Sequence, residues 1–273
     1  MSVKTLSWVL LAAAALGSVL LFNYWASYQL LSTIVYAGVA AALFGLANLA
    51  LPFRFLGIGK RVVGAIVLAG GVGLAVAALL WPASTVRVAQ SRTRLDDIMP
   101  EYQFYERHST RVHARPEQVM QAVRESTFRD MKSLSTLLKI RAAALRIHDT
   151  GVLPQDRRIL DAFSAPGMLV GDSDHEVLKC WIANLRAQRL AEVRTLQEFK
   201  DYREPGGIKM AFNFHVEDAG EGWCTLSTDT RVLALDGPTR SGMARYWRFI
   251  VPGSGLLRRQ WLDGIKRRAE SAR

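Results

Sequence analysis

Ile208-Lys209-Met210-Ala211-Phe212-Asn213-Phe214-His215-Val216-Glu217 decides the fold of the C-terminal part of this chain. Met210, Phe212, Phe214 and Val216 alternate with Lys209, Ala211, Asn213 and His215, the period-two pattern of a strand with one apolar face. Asp218-Ala219-Gly220-Glu221-Gly222 supplies turn residues, and Trp223 to Leu235 returns with Leu226, Thr228, Thr230 and Val232 on one side. Two such runs around a Gly-rich loop predict an antiparallel hairpin. Asp229 and Arg231 fall opposite Leu226, where a surface pair is expected.

Further strands are expected upstream, at Gly167 to Val170 and Glu176 to Leu185, around the polar turn Asp172-Ser173-Asp174. From Tyr102 another strand puts Phe104, Glu106, His108, Thr110 and Val112 on one side and Tyr105, Arg107, Ser109, Arg111 and His113 on the other. Arg115-Pro116-Glu117 starts a helix with Val119, Met120 and Val123 on its apolar face. Two more helical stretches are expected, Met131 to Ile147 and Gln155 to Phe163. The chain ends in a long amphipathic helix, with Met243, Trp247, Ile250, Leu257, Trp261 and Ile265 at helical spacing. Pro252-Gly253-Ser254-Gly255 is expected to break or kink it. The fold class is α+β.

The N-terminal part has another character. Thr5 to Trp25, Leu30 to Phe53 and Val62 to Trp81 are apolar runs of roughly the 20 residues a helix needs to cross a membrane. Between Met1 and Pro82 there is no Asp or Glu, and Lys4, Arg54, Lys60 and Arg61 are the basic residues. The first run lacks a small-x-small cleavage site and reads as a retained helix rather than a signal peptide. The expected organisation is a three-helix anchor over 1–82, a polar tether over 83–100, and a domain over 101–273. Leu95 to Met99 can already dock on that domain.

Ala65, Ala69, Gly73 and Ala77 on the third run, and Gly38, Ala42 and Gly45 on the second, form small-residue faces that suit helix packing in lipid. Such faces also allow homo-oligomers. No charged residue lies within a run, which argues against a proton relay or transporter. The basic residues flanking the runs put the N-terminus and the second loop in the cytoplasm, and hence the C-terminal domain outside it. Arg87, Arg92 and Arg94 pull the other way. The expected location is a multi-pass, inner-membrane one.

The formal net charge is +11, with about +4 on residues 1–82 and +7 beyond. Beside an anchor, this excess suits an anionic bilayer surface. Basic residues at the end of the chain, from Arg258 to Arg273, read as a solvated helix face or a bilayer contact. They lack interleaved aromatics and a recognition motif, so nucleic acid is not an expected partner. Cys180 and Cys224 match no metal or redox spacing and read as small buried hydrophobes, with a single disulfide as the alternative. No phosphate loop, nucleophile elbow or His-x-x-x-His pair occurs, so neither a metal nor a cofactor is expected.

Two further stretches carry a resemblance. The first is Pro100-Glu101-Tyr102-x-Phe104-x-Glu106-Arg107-His108, followed by Ala114-x-Pro116-Glu117-x-Val119. The second runs from Thr228-x-Thr230-Arg231-Val232 to Tyr246-Trp247-Arg248-x-Ile250-x-Pro252-Gly253-Ser254-Gly255-Leu256-x-Arg258. Together they resemble the two ends of bacterial SRPBCC proteins, the START-like, Bet v 1-like superfamily, and span about half the domain. Residues 150–206 fit that pattern loosely. The resemblance implies a helix-grip fold, an antiparallel sheet curled around the long C-terminal helix, with a cavity between the two for a hydrophobic molecule of the lipid, quinone or isoprenoid class.

Phe212, Phe214, Leu226, Tyr246, Trp247 and Ile250 are the candidate lining, together with Met210; the alternative is that they fill an ordinary core. Glu106 and His108 lie two apart on one strand and point the same way. Facing inward, they form an acid and a base able to bind or protonate a polar ligand group; otherwise they are a structural pair or face water. The leading expectation is a membrane-anchored binder of a hydrophobic molecule. The alternatives are a cyclase-like or hydrolase-like enzyme using Glu106 and His108, and an assembly protein without a ligand.

Overall fold

The computed structural model describes residues 29–51, 60–131, 154–164 and 168–271, with Thr136 and Lys139. It divides into two compact units. One is Met1–Pro82 with Ala244–Pro252; the other is Ala83–Met243 with Gly253–Arg273.

In the first unit, α1 (Leu30–Ala50) and α2 (Arg61–Leu80) are long and apolar enough to cross a membrane. They match the second and third apolar runs. The first, Thr5 to Trp25, lies outside the described residues. α1 and α2 run antiparallel, with Gly38 beside Gly71 and Ala75, and Gly45 beside Gly64 and Leu68. A Cβ on Gly71 would lie 2.5 Å from the Ala42 backbone nitrogen, so only glycine permits this approach. The predicted face on α1 is the one that packs. On α2 the expectation needs correction: Gly64, Gly71, Ala75 and Ala78 are buried, whereas Ala65, Ala69, Gly73 and Ala77 are exposed. The reason is spacing, because a helix pair crossing at a shallow angle meets every seventh residue, in steps of four and three.

In the second unit a six-stranded antiparallel sheet runs β3 (Phe104–Val112), β8 (Trp223–Ala234), β7 (Gly207–Gly220), β5 (Glu176–Asn184) and β4 (Leu169–Asp172), with β6 (Arg189–Leu190) paired to β5. The β7–β8 hairpin closes as its sequence predicts, with Gly220, Glu221 and Gly222 all at positive φ. β1 (Val86–Arg87) and β2 (Glu101–Tyr102) pair separately. The expected helix at Met131 to Ile147 lies almost wholly outside the described residues. Of Gln155 to Phe163, Leu160–Phe163 forms a short 3-10 helix.

One sheet face carries Val112, Val177, Phe212, Phe214, Val216, Cys224 and Leu226 against α4 (Pro116–Glu125) and Trp261, Leu262 and Ile265 of α6 (Gly237–Ser271). Pro252 sits inside α6, which continues through it. Of the break or kink expected there, the break does not occur. Proline removes one N–H and leaves the carbonyl four residues earlier without its helical donor, but the helix resumes on both sides. An antiparallel sheet followed by one long C-terminal helix is compatible with a helix-grip fold.

The opposite sheet face reads as polar in sequence, yet it is largely covered. Leu95 and Met99 pack with Leu178, Cys180, Ile182, Ala211 and Phe199. Thr93 begins α3 (Arg94–Ile98) with a capping box in which Asp96 completes the exchange. The buried Glu176 carboxylate accepts from the backbone nitrogens of Arg94 (2.8 Å) and Leu95 (3.2 Å), and from Asn213 Nδ2 at 2.7 Å. Arg231, 6% exposed, donates to Asp96 Oδ1 at 2.6 Å, to the Met99 carbonyl and to Asp229. The expected Asp229–Arg231 surface pair is therefore a buried network, because residues 94–99, part of the predicted tether, lie over it. Lys209 is also covered, and its ammonium donates to the Lys200 carbonyl at the end of α5 (Leu196–Asp201).

Candidate functional site

β3 and β8 pair so that Glu106 lies opposite Thr230 and His108 opposite Thr228; β7 continues these rows with Phe212 and Phe214. Directly paired residues share a sheet face, so two polar rows stand in the apolar wall that packs on α6. Glu106 and His108 are both buried, with Glu106 Oε1 2.7 Å from His108 Nε2. Ser254, on the first turn of α6 after Pro252, donates to Glu106 Oε2 at 2.6 Å. One turn on, the Arg258 guanidinium lies 4.6 Å from the centre of the Phe212 ring and 5.6 Å from that of Trp261. Its hydrogen bond is a long one, 3.5 Å to Thr228 Oγ1. Burial pulls the Arg258 pKa down to about 10, against the field of Glu106 and Asp229. The group stays charged at neutral pH. Thr230 Oγ1 is buried with no hydrogen-bond partner among the described residues.

The predicted site residues therefore separate. Glu106 and His108 face inward and touch. Phe212, Phe214 and Leu226 share their sheet face, fully buried. Phe214 meets Trp261 edge-on with ring centres 4.5 Å apart, and Phe212 meets Phe163 at 4.9 Å. Tyr246, Trp247 and Ile250 fall in the other unit, that of α1 and α2. Position along α6 explains this, because helical spacing alone gives a residue's side of a helix and not the partner at that level. Ser254, Arg258 and Trp261 are the members that sequence reasoning missed. In sequence Arg258 belongs to the solvated basic face, and its place over Phe212 depends on how the helix lies on the sheet.

Chemically the cluster is an acid, an imidazole, a hydroxyl and a fixed cation. The serine contacts the carboxylate, while the contact of a serine nucleophile would be with the imidazole. The order is thus one for holding a polar group rather than for activating Ser254. No group of His, Cys, Asp and Glu able to hold a metal occurs among the described residues. Comparison with protein families, curated proteins and solved structures finds no match to this chain.

Proposed function

We propose that this protein is a membrane-anchored module that binds a hydrophobic molecule of the lipid, quinone or isoprenoid class between its sheet and α6, with an acceptor-bearing head group at Arg258. The observation that carries it is hydrogen-bonding capacity left over in a buried cluster. Among the described residues, Arg258 places its five N–H donors in one long bond, and the Thr230 hydroxyl beside Glu106 has no partner. Polar groups set in an apolar wall are costly unless something completes them, and binding sites use a few such groups to orient an otherwise apolar ligand.

In this reading the sheet curls around α6 as in SRPBCC proteins, the anchor has three spans, and the domain lies on the extracytoplasmic side. Native mass spectrometry of the detergent-purified protein tests the binding. A bound lipid is expected in the wild type and is lost in Arg258→Met with the circular dichroism spectrum retained. Wild-type protein free of bound lipid overturns the reading.

The edge-to-face packing of Phe212, Phe214 and Trp261 favours a second reading, an assembly protein whose domain has a solid core. That reading expects ligand-free protein and a large loss of stability on truncating any of the three rings.

A further inference from the structure

The first unit contains one element that hydropathy does not mark. Residues 244–252 of α6 belong with α1 and α2. Arg248 donates to the carbonyls of Leu79 and Trp81, both at 2.7 Å, and so closes the C-terminal end of α2. A helix end leaves such carbonyls without intrahelical donors, and a cation there also suits the helix dipole. Tyr36 Oη donates to the Phe249 carbonyl at 2.7 Å. Tyr36 lies six residues into α1, roughly 9 Å from its start at 1.5 Å per residue.

If α1 and α2 span a bilayer, as the proposed function holds, the Phe249 backbone sits at the depth where headgroups give way to acyl chains. Phe249 is 47% exposed and Trp81 61% exposed. Exposed aromatic rings at this level are the composition of a membrane interface.

We infer that residues 244–252 are a further membrane-contacting element, with Phe249 against lipid at the membrane interface. The occupant of this exposed face is the bilayer itself, because the segment continues a surface already formed by two apolar helices.

Site-directed spin labelling in phospholipid vesicles tests it, with collisions measured against oxygen, which partitions into lipid, and a water-soluble nickel complex. Labels at Phe249→Cys, at Val72→Cys on the exposed side of α2 and at Glu221→Cys in the β7–β8 turn give the comparison. Oxygen collisions exceeding nickel collisions at 249, as at 72 and in reverse of 221, is the expected result. Aqueous behaviour at 249 with lipid behaviour at 72 overturns the inference and leaves the spans standing. Aqueous behaviour at both overturns the spans and the inference with them. Arg245→Cys, one turn away, replaces Phe249→Cys should that variant not fold, and is expected to report reduced nickel access relative to 221.

Discussion

Ser254 Oγ donates to Glu106 Oε2 across 148 residues of sequence, fastening α6 to β3 at the first turn after Pro252. A hydrogen bond to a buried carboxylate contributes about 1.5–3 kcal/mol. Ser254→Ala is therefore expected to lower the melting temperature by several degrees, at roughly 2–4 °C per kcal/mol for a domain of this size. Ser254→Thr should recover part of the loss. An unchanged melting curve for Ser254→Ala would mean that the contact contributes nothing in solution.

His108→Ala separates binding from structure. Because His108 Nε2 lies against the same buried carboxylate, its removal is expected to lower the melting temperature by several degrees, and, in the proposed function, to reduce lipid retention as well. A fall of several degrees without change in retention identifies a structural partner of Glu106. Phe214→Ala decides between the two readings: a cost of about 3–5 kcal/mol belongs to a solid core, whereas a stable protein with a large loss of bound lipid places the ring on a ligand-facing wall.

Asp96 makes stability acid-sensitive. Burial alone would raise its pKa, but the Arg231 hydrogen bond and those from the Arg92 and Thr93 backbone outweigh this and hold it below the ordinary carboxylate value. A depressed folded pKa gives stability that is present above the unfolded value near 4 and lost as pH falls through the folded one. Asp96→Asn should thus melt lower than wild type at neutral pH, with the gap closing in strong acid. A gap independent of pH would remove charge from the explanation.

Gly71→Leu places side-chain atoms against the α1 backbone, whereas Gly73 has open space around its would-be Cβ. The first substitution is expected to disrupt the α1–α2 pair in detergent and the second to leave it intact. Equal effects of the two would relocate the contact face.

Cys180 and Cys224 are free and buried; burial pushes the Cys180 thiol up to about 12 and raises Cys224 as well. Neither is expected to react with iodoacetamide at neutral pH until the protein is unfolded, since the thiolate is the reactive form. Rapid labelling of the native protein would contradict their burial.

Fusions of alkaline phosphatase and of green fluorescent protein after Arg273 report sidedness. Phosphatase activity without fluorescence is expected for an extracytoplasmic domain, and the reverse would move it to the cytoplasm.

Much of the fold was legible because strand periodicity is local. Alternation at Phe104 to Val112 and Ile208 to Val216 predicts which side chains share a face, and the β3–β8–β7 register keeps them together. What local pattern does not carry is which polar face another segment will cover. Asn213 and Arg231 look solvated in sequence and become buried through Glu176 and Asp96, residues distant along the chain. The signal for that cover was present in Thr93-x-x-Asp96, a capping box inside a segment otherwise read as a tether. Glu106 and His108 were recognisable from their two-residue spacing. Arg258 was not, because a basic residue on an amphipathic helix gives no sign of lying over Phe212 until the helix is placed on the sheet.

The shared helix bears on how this protein can be taken apart. α6 runs unbroken from Gly237 to Ser271, yet its residues 244–252 belong with α1 and α2. A fragment beginning at Ala83 keeps every described strand and the whole helix, but loses the Leu79 and Trp81 carbonyls that hold Arg248 and the Tyr36 hydroxyl that holds the Phe249 carbonyl. Cutting where hydropathy ends thus strands a guanidinium and a carbonyl in the middle of the last helix, and a well-behaved fragment needs replacements at that level of the helix as well as a new N-terminus.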